Sequence, residues 1–231
     1  VTSMKESQTQ RVLIQEDPLS YLPCSRILGY RKGQVIYDKD NPSVNMYLVI
    51  DGKVKIVRQT DSGLQVMIDI CMPDEFFGES AICYSPNPVE QATALEGVKL
   101  MSWSVGEIED QILKQPRLGV ALLQMLTRRN LDFAARVESF SADDIPRRIA
   151  RALLYLSARQ GAEADEDGSV VMTALTHDML AQFVGTSREL VTSRMNWLRR
   201  EGYITYSRKQ IALRRSLRKW LSGEKALTAA S

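Results

Sequence analysis

The stretch from Leu175 to Arg200, LTHDMLAQFVGTSRELVTSRMNWLRR, admits few folds. Val191, Met195 and Leu198 recur at i, i+4 and i+7, which is one face of an α-helix. A shorter helical run precedes them, and Gly185 stands between the two. Glycine there supplies a tight turn at positive φ. Thr176 is placed to cap the first helix through its hydroxyl, with Asp178 in its first turn, where the helix dipole favours an anion. Thr186 or Ser187 caps the second helix, and Ala181 is small where the two cross. The expectation is a helix-turn-helix unit, whose second helix lies in the major groove of DNA.

The side chains suit that task. Arg188 and Glu189 fall in the first turn of the second helix, away from the apolar face. Arginine donates two bonds to guanine O6 and N7, and glutamate accepts from cytosine N4. Arg194 is a third candidate for base contact, with a phosphate or a nearby carboxylate as its other destinations. Thr176, His177, Ser187, Thr192 and Ser193 are candidate backbone contacts, as are Arg208 and Lys209 at the tip of a two-stranded wing read in YITYSRKQIAL. The plainer alternatives are surface ion pairs for Arg188 and Glu189, and an ordinary polar turn for Arg208 and Lys209.

Charge follows the same division. The formal net charge is only +2, but residues 185–231 hold 11 Lys/Arg against 3 Asp/Glu. A polyanion would bind there, although a solvated basic face looks the same by charge alone. His177 is the only histidine and stands on the helix-turn-helix unit, so no Ser-His-Asp set is read and an enzyme is not expected. The same scarcity argues against a Cys/His zinc site, and no metal ligands or catalytic residues are assigned. Cys24, Cys71 and Cys83 are scattered and form no disulfide framework. No apolar run is long enough to span a membrane, and the polar start VTSMKESQTQ lacks a signal-peptide core, so the expected location is the cytoplasm.

Residues 26–104 read as short strands separated by turns at roughly ten-residue spacing, which suits a roll or barrel. Asp51-Gly52 is expected to join Met46–Ile50 and Lys53–Arg58 as a hairpin, Ser62-Gly63 to lead into Leu64–Ile70, and Thr93–Trp103 to close the roll as one strand. The period then changes. Leu118, Leu122, Met125, Leu126, Phe133 and Val137 form an apolar stripe on a long helix, with Pro116 near its start. That stripe either covers the roll, or covers it and meets a second copy of the chain. Ser141-Ala142-Asp143 reads as a hinge. The expected division is an N-terminal arm (1–20), a β-roll sensor (21–106), a linker and dimerisation helix (107–140) and a winged helix-turn-helix domain (141–231), an α+β architecture.

These two signatures together resemble the bacterial CRP/FNR family of transcription regulators over roughly residues 20–225. The first is RKGQVIYDKDNPSVNMYLVIDGKVKIV with MPDEFFGES, and the second is LAQFVGTSRELVTSRMNWLRREGYI. The resemblance implies a jelly-roll-like cyclic-nucleotide-binding-type β-roll, a dimerisation helix and a winged helix-turn-helix. It implies a homodimer on a roughly palindromic double-stranded DNA site, with RNA polymerase as a partner if the protein activates. It places the family's base-reading Arg and Glu on Arg188 and Glu189. The third arginine of the family would fall at Ser193, and Arg194 stands one place later.

The effector site departs from the family. Gly78 and Glu79 match the Gly-Glu of the phosphate-binding cassette, but its Arg-Ser pair falls at Pro88 and Val89. Neither neutralises a phosphate. The polar residues that meet the base fall at Phe133 and Ala134, both apolar. Gly78, Glu79, Ser80, Phe133 and Ala134 would line any effector pocket, yet cyclic AMP is not the expected ligand. Three scattered cysteines make no iron–sulfur set, and the roll has no histidine for haem. The effector is left open, including none at all, a thiol switch at Cys71 or Cys83, or an apolar or acidic small molecule. The competing reading is a sensing module whose helical domain binds another protein.

Overall fold

The computed structural model describes residues 15–61, 63, 65–83 and 90–223. The arm before residue 15, Ser62, Leu64, the Pro88–Val89 pair and the end beyond residue 223 lie outside the described residues.

Among the described residues eight strands build the roll: β1 (Ile27–Tyr30), β2 (Val35–Tyr37), β3 (Asn45–Asp51), β4 (Val54–Gln59), β5 (Gln65–Cys71), β6 (Phe76–Phe77), β7 (Glu90–Ala94) and β8 (Val98–Ser104). They form two antiparallel four-stranded sheets, ordered β1-β8-β3-β6 and β2-β7-β4-β5. Tyr37, Tyr47, Val49, Val54, Ile56, Phe77, Ala92 and Leu100 fill the space between them. Tyr37, Tyr47 and Phe77 stack there at centroid separations of 5.0–6.2 Å. Both sheets are also covered outside, so β3 is buried at four successive positions rather than alternating.

Two strand expectations need correction. Asp51-Gly52 is not a hairpin turn, because β3 and β4 belong to different sheets. Gly52 has φ +84°, and a Cβ there would lie 2.4 Å from the Gly97 carbonyl oxygen. The turn is a corner pressed against a second corner, residues 95–97, which divides the expected strand Thr93–Trp103 into β7 and β8. The ladders of β3 with β8 and of β4 with β5 and β7 override the local turn signal.

Helix α1 (Val105–Lys114) opens with a capping box between Ser104 and Glu107. Pro116 ends the connection, and α2 (Arg117–Ala142) begins after it. Leu118 and Leu122 pack with Ile108 against Met46, Leu48, Phe76 and Trp103 on the outer face of the first sheet. The expected stripe divides beyond that point. Met125, Leu126 and Phe133 are half-buried, and Val137 is exposed.

Asp143 and Asp144 alone break the helical run, Ser141 and Ala142 being the end of α2. Helix α3 (Ile145–Arg159) starts on the Asp144 cap. Strands β9 (Val170–Thr173), β10 (Ile204–Tyr206) and β11 (Gln210–Leu213) form one sheet ordered β10-β11-β9. Helices α4 (His177–Val184), α5 (Arg188–Arg200) and α6 (Arg215–Leu221) complete this domain. Its core is continuous with the outer face of the second sheet, because Val57, Met67, Ile70 and Met72 join the same cluster as Leu153, Leu180 and Phe183. Among the described residues no helix is long and apolar enough to cross a membrane.

Candidate nucleic-acid interface

Helices α4 and α5 are held at a fixed angle by local chemistry. The Thr176 hydroxyl accepts the Met179 N–H at 3.1 Å and starts α4. Gly185 ends it at φ +68°, φ being positive as the turn requires, and a Cβ there would meet the Phe140 ring at 3.1 Å. The Ser187 hydroxyl then accepts the Leu190 N–H and starts α5. Val191, Met195 and Leu198 are buried beneath it. Arg136 and Arg148 reach the last carbonyls of α4, those of Phe183 and Val184, a C-terminal cap built from two other helices.

The opposite side of α5 is open. Arg188, Glu189, Leu190 and Ser193 are exposed. The Glu189 carboxyl is held below the usual carboxylate range by its own backbone N–H, with the Ser187 hydroxyl and Arg188 adding to the effect. It therefore presents only acceptors at neutral pH, as a cytosine amino group requires. Arg194 is half-buried on the flank, and its Nε is buried without a hydrogen-bond partner. No ion pair joins it to a carboxylate among the described residues, so the neighbouring-carboxylate reading does not hold.

His177 couples three elements. Its Nδ1 lies 2.8 Å from the Thr192 hydroxyl, which donates to the Arg188 carbonyl at 2.9 Å. Nδ1 therefore carries the proton in this network, and Nε2 is the free nitrogen. Burial lowers the imidazole pKa, and the Arg188 charge lowers it further. Tyr206 of the wing meets the ring edge-on and donates to Asn196 Oδ1 at 2.9 Å, which ties β10 to α5. Between His177 and the wing lies a hollow of about 400 Å³, lined by Thr176, Ser207 and Arg208. Arg208 and Lys209 are exposed at the tip, where the Ser207 hydroxyl accepts the Lys209 and Gln210 N–H groups. The start of α4, α5 and the wing thus adjoin one another around His177. Thr192 and Ser187 have their hydroxyls engaged internally, however, so both act first as supports.

The roll's expected effector residues are only partly brought together. Gly78 has φ +83°, and a Cβ there would strike the Asn45 carbonyl at 2.7 Å. Glu79 accepts from Arg129 Nη1 at 2.5 Å, and Arg129 Nη2 donates to the Phe76 carbonyl at 2.5 Å. Burial works against the Arg129 charge, but the groups facing it, Glu79 foremost and Asp69 among them, together outweigh burial and raise the pKa. Tyr37 donates to Glu90 at 2.6 Å, and burial raises the Glu90 pKa. Ser80 and Phe133 are half-buried, whereas Ala134 is exposed on the far side of α2 and lines no site with Glu79 in this chain. Sequence reasoning missed Arg129, and also Arg159, which enters between Asp69 and Glu75 from the end of α3. The available signal was Asp69, a carboxylate inside the apolar run of β5.

Comparisons with known proteins give the same two halves. Residues 27–115 match the cyclic nucleotide-binding domain model, and residues 147–219 match the Crp-like helix-turn-helix domain model. A CRP-like cAMP-activated global transcriptional regulator of Mycobacterium tuberculosis is 31% identical over 183 residues, covering 76% of this chain and 80% of that protein. The transcriptional regulator SdrP of Thermus thermophilus is 32% identical over 179 residues, covering 77% and 84% respectively. The crystal structure of a CRP/FNR-family transcriptional regulator from Thermus thermophilus superposes with a TM-score of 0.67 at 30% identity, over 87% of this chain and all of that one.

Proposed function

Because the chain belongs to the CRP/FNR family of transcriptional regulators, we propose that it works as a homodimer that reads a two-fold symmetric DNA site through α5 and the wing. The family consists of regulators with a helix-turn-helix DNA-binding domain and not of enzymes. The observation that carries the finer reading is the face of α5. It has a buried apolar back, an ionised Glu189 and a free Arg188 in its first turn, and a basic wing tip beside it. Arg188 and Glu189 read bases, with Arg194 reaching the groove from the flank. His177, Arg208 and Lys209 hold phosphates, with Thr176, Ser187, Thr192 and Ser193 at the same border.

The dimer reading rests on α2. Val120, Leu123, Thr127, Asn130, Ala134 and Val137 recur in alternating steps of three and four residues, and all are exposed. Leu123 and Val137 are 66% and 64% exposed. Leu118, Ala121, Leu122 and Arg129 occupy the other flank and face the chain's own roll. A second α2 would cover the open seam, and Asn130 within it would fix register.

Cyclic AMP does not suit the roll. Glu79 is already engaged by Arg129, and the stacked Tyr37, Tyr47 and Phe77 fill the interior. Arg129 would have to release Glu79 before the carboxylate could meet a ribose. The regulator therefore works with a different effector or with none, and RNA polymerase is its partner where it activates. The test is selection of purified, ligand-free protein on random duplexes with competitor DNA present. A two-fold symmetric enriched sequence is expected. Steeply salt-dependent binding without sequence preference would instead support a helical domain that meets another protein.

A further inference from the structure

The reading face of α5 contains one side chain that gains nothing from water. Leu190 leaves 39% of its surface exposed, while Val191, Met195 and Leu198 of the same helix are at most 1% exposed. It stands about 100° around the helix from Val191, outside the buried stripe. The Ser187 cap on its N–H fixes it in the first turn, next to Glu189 and on the flank of α5 away from Arg188. Ser193 lies opposite the buried face and is short.

We propose that Leu190 is a sequence-reading residue that seats on the C5-methyl group of a thymine in each half-site. The proposal rests on the reading of α5 as the helix in the major groove. The thymine methyl is the one apolar feature among the major-groove base edges. Leucine has no donor or acceptor. Over cytosine N4 or guanine O6 and N7 it would remove water from a polar group and return no hydrogen bond. Leu190 therefore favours thymine by burying a methyl and disfavours the other edges by stranding them. Arg188 and Glu189 account for a G·C step, and Leu190 adds a T·A step beside it. Arg194 stands four residues on, along the same flank, with its Nε free of protein partners.

The experiment uses the full-length protein and the duplex enriched by selection. Each thymine of a half-site is replaced in turn by deoxyuridine, which removes the methyl and nothing else. At one thymine per half-site the wild-type protein is expected to bind about fourfold more weakly, the worth of one buried methyl group. Leu190→Ala should lose that difference while keeping its discrimination at the base pair read by Arg188. Leu190→Thr, which tests the same position with a different shape, should reduce it. Equal uridine penalties in wild type and Leu190→Ala, or no methyl-sensitive thymine in the wild type, would overturn the proposal. Selection that enriches no sequence, in the ligand-free protein and again with a pool of small metabolites present, would overturn the reading of α5 itself, and Leu190 with it.

Discussion

Arg159→Met should uncouple the two halves of this protein. Arg159 is the last residue of α3, and its side chain is only 14% exposed. Nε donates to Glu75 Oε1 at 2.7 Å, Nη2 reaches the second Glu75 oxygen, and Nη1 reaches Asp69 and the Tyr155 hydroxyl. Burial opposes the charge, but the two carboxylates outweigh it and raise the Arg159 pKa. The Asp69 and Glu75 side chains are 8% and 26% exposed. Methionine would leave both anions with one backbone N–H each, from Ile70 and Met72. Stranding a buried charge costs about 3–5 kcal/mol, and the partial exposure of Glu75 places the expected loss near the lower end, about 3 kcal/mol. Arg151 is 51% exposed and pairs with the buried side chain of Asp143, which also accepts from the Ser139 hydroxyl, so Arg151→Met leaves that anion partnered, should cost about 1 kcal/mol and serves as a control. Denaturant unfolding followed by tryptophan fluorescence reads both halves, because Trp103 lies on the outer face of the roll's first sheet and Trp197 and Trp220 lie in the C-terminal domain. Single-tryptophan forms should unfold together with Arg159 present and separately in Arg159→Met. Replacing Arg159, Asp69 and Glu75 together by apolar residues of similar volume should recover most of the loss. A cost below about 1 kcal/mol, with coincident transitions retained, would refute the claim that this triad holds the domains together.

The DNA face gives further expectations. Arg188→Ala should lose about 1–3 kcal/mol of discrimination at one base pair per half-site, whereas Lys209→Ala should weaken every duplex alike and flatten the salt slope by about 1, both read by titration on matched and mismatched duplexes. His177 has a lowered pKa in the free protein, and a phosphate at Nε2 would raise it. The affinity gain from its charge is therefore complete below the free-protein pKa and lost as pH rises through the bound-state pKa. DNA binding should tighten as pH falls through the bound-state pKa toward the lowered free-protein pKa, and His177→Gln should flatten that dependence. Leu123→Asp places a charge in the exposed seam of α2, and sedimentation should show loss of the dimer while the fold persists.

The helix-turn-helix was legible because each of its determinants is local. The Thr176 and Ser187 caps, the positive φ of Gly185 and the spacing of Val191, Met195 and Leu198 all act within a few residues. The strands of the roll were legible for the same reason, but not their allocation to sheets. Asp51-Gly52 has the composition of a hairpin turn, and only the distant corner at Gly97 makes it a crossing between sheets. Helix α2 defeated the hydrophobic pattern differently. It buries Arg129 and Arg136 against its own chain while it exposes Leu123, Leu131 and Val137. Its arginines are held by carbonyls and a carboxylate of the roll, partners distant in sequence that the hydrophobic pattern does not reveal. The clamp at Arg159 was invisible because a basic residue in a last helical turn already has a local explanation in the dipole.

Arg129 and Arg159 grip the same short segment from opposite sides. Asp74 has φ +66° and Gly78 has φ +83°, so the segment from Asp74 to Glu79 is bent at both ends. Val49 anchors its start through bonds with the Asp74 N–H and the Glu75 carbonyl, at 2.8 and 3.0 Å. Arg129 brings α2 to Phe76 and Glu79, and Arg159 brings the DNA-binding domain to Glu75. A shift of the segment must therefore disturb α2, the helix-turn-helix domain or both, and no relay along the length of α2 is required. Between the two guanidinium groups the cleft also takes in Asp69, Asp132 and Tyr155. A ligand changes the balance of clamped and released states only by binding them unequally. If releasing Arg159 costs about 3 kcal/mol, an effector that opens the clamp must prefer the released state by more than about 100-fold. An effector that only tightens the clamp faces no such threshold, and little is left for it to change.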